Sequence, residues 1–331
     1  MAKSTNLTNP DAARSTVSRR GLMKSAAAAA IGLGALRALG AAEEDLKAKA
    51  KRNLKLGVDA GVYAALPLEE AARRIKADGF SAVLTRYTFA DVHFDPLAPD
   101  WTAAEKVVSC LERSGIRIAQ VYGYYNIVDP DAEKRKRGEA RMEALLTNWK
   151  RLGCANVSTE TGTLNRTSEW AEAPENATEE GYALGRAAIE RLVRVAEKSG
   201  AILSIEAYWK NIIDSVDRAE RLLRDVPSPA LRIVMDPCNY FRKEDLPRMQ
   251  PILEDMFKRL GDRVVVAHAK DVKASDGGTD LPAAGLGVLD YPLYLRLLAR
   301  LDREMPLLVE HVALPDVARA RDYVLAQMEK I

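Results

Sequence analysis

From Asn53 onward, short runs of β-branched and apolar residues alternate with longer runs whose apolar positions recur every three or four residues. The first pattern suits a strand buried on both faces, the second an amphipathic helix. The short runs predict strands at Leu54–Asp59, Ala82–Arg86, Ile116–Tyr122, Asn156–Glu160, Ile202–Glu206, Arg232–Asp236, Val264–His268 and Leu307–Glu310. The longer runs predict helices at Leu68–Ile75, Thr102–Ser114, Glu179–Ser199, Ser215–Leu223, Leu246–Leu260, Tyr291–Leu301 and Pro315–Met328, with another inside Asp131–Leu152. Pro67 stands near the first turn of the first helix, and Gly115 and Gly200 follow the ends of two others, where those residues start and stop helices.

Strands that alternate with helices build a parallel sheet, and eight such units close into a barrel. An open doubly wound sheet is the other candidate. Its phosphate loop is missing, because Asp59-Ala60-Gly61-Val62-Tyr63 after the first strand is not GxGxxG. No linker divides the region. The expected fold is α/β, a single (β/α)8 TIM barrel over residues 53–331.

Residues 1–42 have a different character. A polar leader precedes Ser18-Arg19-Arg20-Gly21-Leu22-Met23-Lys24, and an apolar run from Ala26 to Ala42 is broken only by Arg37. That order predicts an N-terminal signal peptide, and the paired arginines resemble a twin-arginine export signal. The run is rich in Ala and Gly, which makes it weakly apolar for a membrane anchor. The expected partner during export is the twin-arginine translocase, and the expected location is periplasmic or secreted.

Composition narrows the function. The chain has 331 residues, 49 Lys+Arg against 47 Asp+Glu, and a formal net charge of +2. That balance offers no basic field, so no nucleic-acid partner is expected. Three cysteines form no disulfide scaffold, and Cys110, Cys154 and Cys238 are expected to be free.

The active site of such a barrel lies where its strands stop. Strands five to eight end in Ile205-Glu206, Met235-Asp236-Pro237-Cys238-Asn239, Ala267-His268-Ala269-Lys270-Asp271 and Val309-Glu310. Each places an ionisable group after a run that belongs inside the sheet, at a cost unless it is paired or bound to a metal. Glu206, Asp236, His268 and Glu310 together predict one divalent metal ion, Mn, Mg, Co or Zn.

With Gly285-Leu286-Gly287-Val288-Leu289-Asp290-Tyr291, these motifs resemble the xylose-isomerase-like TIM-barrel superfamily, the sugar isomerase/epimerase group, over residues 54–330. The resemblance implies that the four strand-end residues hold the metal, that Glu206 and Glu310 also form the acid/base pair, and that Asp236 and His268 are ligands only. It implies a small-molecule sugar substrate and proton transfer through an enediolate. Tagatose-type epimerases carry His, Glu and Arg where this chain has Asn239, Ile212 and Ala274, so that particular specificity does not follow.

The expected function is an exported, metal-dependent isomerase or epimerase. The alternatives are a lyase or hydratase acting on an oxidised (3-keto) sugar or glycoside at the same site, and a non-catalytic sugar binder. A repair nuclease on this barrel needs several metals and many imidazoles, which His93, His268 and His311 cannot supply.

Lys270, Asn239, Glu160, Tyr122 and Trp209 are candidate substrate contacts, with Tyr124, Tyr125 and Asn126 beside Tyr122 on the rim. An ion pair is the competing role for Lys270, and a turn cap for Glu160. Strand alternation points Asp271 and His311 away from the mouth. The long connection Gly162–Thr178 suits a lid. Replacing Arg19 and Arg20 by Lys should leave the precursor in the cytoplasm, read by fractionation; normal periplasmic amounts of the double variant would refute the export signal.

Overall fold

The computed structural model describes residues 44–331, so the predicted signal peptide at 1–42 lies outside the described residues. Residues 44–53 are helical (α1) and lead into the first strand. Eight parallel strands close a barrel: β1 (Leu54–Asp59), β2 (Ala82–Thr85), β3 (Arg117–Tyr122), β4 (Asn156–Glu160), β5 (Ile202–Glu206), β6 (Leu231–Met235), β7 (Val264–Ala269) and β10 (Met305–Val309). Closure is made by β1 pairing with β10, in register from Leu54 opposite Met305 to Val58 opposite Val309. The single (β/α)8 barrel expected from the alternation is the fold, and Leu46–Ile331 form one unit.

The outer helices are α2 (Leu68–Ala77), α3 (Trp101–Arg113), α4 (Ala132–Thr147), α5 (Glu179–Ser199), α6 (Val216–Asp225), α7 (Met249–Leu260), α8 (Tyr291–Arg300) and α9 (Val317–Met328). Side-chain caps start several of them. Asp100, Asp131, Thr178, Ser215 and Asp290 each accept from a backbone N–H of the first turn. Buried faces such as Met142, Leu145 and Leu146 of α4 pack against the barrel. Inside it, Ala82, Leu84, Val234, Val266 and Leu308 form a separate cluster beneath the mouth. Gly57 shows how tight the β1–β2 contact is, since a Cβ there would sit 2.4 Å from the Ala82 carbonyl oxygen.

Two boundaries differ from expectation in a way that bears on the site. Asp236 and Glu310 lie one residue beyond β6 and β10. Asp236 instead caps a 3-10 turn, Pro237–Tyr240, by accepting from Cys238 N–H. A short antiparallel hairpin, β8 (Lys273–Ser275) with β9 (Gly278–Asp280), follows β7. The apolar pattern carries no trace of it, because it stands outside the core. No helix among the described residues is long and apolar enough to cross a membrane. Cys110, Cys154 and Cys238 are free and buried.

Candidate active site

Four neighbouring strands, β5, β6, β7 and β10, deliver Glu206, Asp236, His268 and Glu310 to one arc of the mouth, with one ligand-type atom of each within 4.8 Å of the others. His268 Nδ1 lies 3.4 Å from Glu206 Oε1, 3.4 Å from Asp236 Oδ2 and 3.1 Å from Glu310 Oε2. His268 Nδ1 is buried and makes no hydrogen bond, and Asp236 Oδ2 beside it is buried against the Lys270 ammonium. Buried polar atoms without partners are rare. Here the imidazole nitrogen shares its space with three carboxylate oxygens, an arrangement suited to a cation.

Charge points the same way. Lys270 Nζ is 2.9 Å from Asp236 Oδ2 and 3.7 Å from Glu206 Oε1. The carboxylates of Glu206, Asp236 and Glu310 against this one ammonium leave two negative charges in a buried place. A single divalent cation cancels them. The oxygen-rich donor set with one imidazole accommodates Mn, Mg, Co or Zn.

Without a cation, protons answer the charge. Burial opposes protonation of His268, but Glu310 and Glu206 outweigh it and hold its pKa well above the ordinary value. Burial likewise works against charge on Lys270, and Asp236, Glu206 and Glu310 more than restore it. The Asp236 carboxyl is held low because Lys270 and His268 outweigh its burial. Glu160, next to Glu206 in the β4–β5 register, is pushed up to about 8 by burial and by the charge of Glu206.

Several residues orient the ligands. Gln120 Oε1 accepts from His268 Nε2–H at 2.9 Å, which turns Nδ1 and its lone pair toward the arc. Gln120 Nε2 donates to Tyr124 Oη at 3.1 Å, and Tyr124 in turn donates to Glu206 Oε2. Asn239 Nδ2 donates to Glu206 Oε1 at 2.6 Å, so both oxygens of Glu206 are held. Behind β7, Tyr294 donates to the His268 carbonyl at 2.9 Å and Tyr291 to the Lys270 carbonyl at 2.8 Å. Asp271 faces away from the mouth, as alternation predicts, and accepts from Val272, Gly285 and Leu289 N–H. The Gly285–Tyr291 motif is thus tied to the end of β7.

The arc opens into a cavity of about 230 Å³. Tyr122, Glu160 and Lys270 line it, together with Asp59, Arg86 and Tyr124. Asn239 is spent on Glu206. Trp209 does not line the cavity: it is buried, its Nε1–H donates to Thr279 of the hairpin at 3.0 Å, and Arg242 stacks on its ring. His311 does line it, against expectation. Its φ of 53° is left-handed, so strand alternation has already ended there. The predicted lid is pinned by Asn126, which accepts from Thr163 N–H, and by Asn176, which accepts from Leu164 N–H and donates to the Lys210 carbonyl. Its residue Trp170 still reaches the cavity. A larger space of about 600 Å³ under Leu164 and Leu184 contains none of the four ligands.

Sequence alone passes over Gln120, and it places Tyr124 on the rim without its role of linking Gln120 to Glu206. Gln120 sits inside an apolar strand, where one amide leaves no periodic signal, and Tyr124 is indistinguishable there from its aromatic neighbours.

A profile of the family described as Xylose isomerase-like TIM barrel matches residues 70–326. The chain belongs to this family. A search of curated proteins finds no match. Among solved structures, a xylose isomerase-like TIM barrel protein from Mycobacterium smegmatis in complex with magnesium is similar at 19% identity and TM-score 0.60, over 84% of this chain and 97% of that one. The 3-keto-D-glucoside 4-epimerase of E. coli is similar at 17% identity and TM-score 0.61, over 84% and 100%. The probable 3-DHS dehydratase of Bacillus anthracis is similar at 14% identity and TM-score 0.60, over 84% and 97%. At these identities the likeness concerns the fold.

If Gln120 sets the tautomer of His268, Gln120→Leu should weaken divalent-metal binding by roughly 10–100-fold, the range for residues that orient ligands. Gln120→Glu, which keeps an acceptor, should lose less. Competition with a chelating dye measures both, and unchanged affinity in Gln120→Leu would remove the orienting role.

Proposed function

We propose that the protein is an exported, divalent-metal-dependent isomerase or epimerase of a sugar. The observation that carries this reading is the convergence of a buried imidazole nitrogen without a hydrogen bond, His268 Nδ1, with the carboxylates of Glu206, Asp236 and Glu310 at the open end of the barrel. The family supports a metal-assisted sugar reaction at that place, and the arginine pair at 19–20 supports export.

A cation held by Glu206, Asp236, His268 and Glu310 would polarise a sugar carbonyl and the hydroxyl beside it, acidifying the C–H between them. The chain's own groups then move the proton. Glu206 and Glu310 arise from β5 and the end of β10, with β6 and β7 between them, so they flank a bound substrate carbon. One carboxylate removes the proton. Its return by the same group to the neighbouring carbon gives isomerisation, and its return by the other group to the opposite face gives epimerisation. Glu206 is fixed by Asn239 and Tyr124, and Glu310 is the more exposed of the two. Lys270 beside Asp236 is placed to hold a substrate oxygen as charge develops.

Glu160 favours a second reading, elimination from an oxidised (3-keto) sugar or glycoside. It is a carboxyl in the mouth outside the four-residue arc, and neither isomerisation nor epimerisation needs a further acid beyond Glu206 and Glu310. Loss of a β-substituent needs an acid for the leaving oxygen, which a protonated Glu160 supplies. Product mass separates the readings, since isomers keep the substrate's mass and elimination does not.

Glu206→Gln and Glu310→Gln keep shape and an oxygen ligand but remove the base. On an identified substrate each should lower turnover by about 10²–10⁴-fold, with a moderate loss of metal affinity. The wild type should carry solvent deuterium into the carbon-bound position. Near-normal turnover in both variants would end the acid/base assignment. Absence of label with an active wild type would favour a shielded proton or a hydride shift.

A further inference from the structure

Beside the metal mouth lies a second cavity of about 370 Å³. Arg86 and Tyr122 line both spaces, and the Arg86 guanidinium stacks 3.7 Å over the Tyr122 ring as their common wall. The floor of the side cavity is apolar, made by Phe94, Val121 and Leu145. Its rim carries Arg137 and Arg141 of α4.

These two arginines are four residues apart, on one helix face, where like charges destabilise the helix. Among the described residues neither has a hydrogen bond, an ion pair or a ring contact. Nearby arginines are matched: Arg191 by Glu139 at 2.6 Å, and Arg86 by Asp59 at 2.8 Å. Asp95 is the acid on the rim, and one of its oxygens accepts from Leu97 N–H. His93 adds an imidazole. The cavity therefore combines an apolar floor with two guanidinium forks, Arg137 exposed and Arg141 half-buried, that no acid among the described residues pairs, a pattern suited to a carboxylate on an apolar ring.

We propose that the side cavity takes an anionic, ring-bearing group attached to the sugar, so that the substrate is a glycoside with a carboxylated aglycone. The proposal rests on the reading of the mouth as a sugar site. The mouth, at about 230 Å³, falls below the roughly 300–1,000 Å³ that encloses a larger ligand, and so suits a single ring. Another adjoining space, of about 520 Å³ past Asp59 and His311, carries Asp59 on its wall and no arginine but Arg86, so an anionic aglycone is directed instead past Arg86 and Tyr122 toward Arg137 and Arg141.

The test compares 4-carboxyphenyl β-D-glucopyranoside with phenyl β-D-glucopyranoside, binding measured by calorimetry on the manganese-loaded mature protein. The carboxylated compound should bind about tenfold tighter, the worth of a good charge-assisted pair. In Arg137→Gln/Arg141→Gln that ratio should fall toward one, with circular dichroism showing the fold intact. Equal affinities in the wild type, or an unchanged ratio in the variant, would overturn the proposal. If neither glucoside binds, the sugar reading and the glycoside assignment fall together, and 4-hydroxybenzoate alone then decides the cavity. Shifts of α4 amide resonances that vanish in the double variant would uphold an anion site, and no shifts would overturn it.

Discussion

Three carboxylates and one imidazole share a buried arc with a single ammonium group, and the rest of the mouth is arranged around that excess of negative charge. Burying such a set is costly unless something positive completes it. Protons can do so in part, which is why His268 and Lys270 hold theirs so firmly without a cation. A divalent cation does so fully and also gives the buried Nδ1 of His268 something to bind. The constraint reaches outward through Gln120, Tyr124 and Asn239, and through the tyrosines of α8 that fix the backbone of β7.

The fold was legible because in a parallel α/β fold every strand is buried on both faces and every crossover is an amphipathic helix, and eight such units without a phosphate loop favour the closed barrel over an open sheet. The arc was legible for a related reason. Glu206, Asp236, His268 and Glu310 each interrupt an apolar run at the point where a strand must stop. Lys270 carried two readings, ion pair and mouth residue, and the geometry gives it both, since it pairs with Asp236 while lining the cavity.

Other features depend on contacts between distant segments. Trp209 follows Glu206 closely and looks like a rim residue, yet the hairpin folded over it gives its indole a partner in Thr279. His311 escapes the alternation rule because its own backbone is left-handed, so the strand geometry behind the rule has ended there. The stretch after Gly162 has the length of a lid, but Asn126 reaches it from the β3 side and its own Asn176 ties it to the Lys210 carbonyl. In each case the deciding partner is dozens of residues away or lies in a turn that hydrophobic patterning does not register.

The most direct test of the account is the position of the metal. Crystals of the mature protein grown with Mn²⁺, measured at the manganese absorption edge, should give one strong anomalous peak per chain within bonding distance of Glu206, Asp236, His268 and Glu310, with His268 engaged through Nδ1. A map with no peak there, with Lys270 or a protonated His268 still filling the arc, would contradict it.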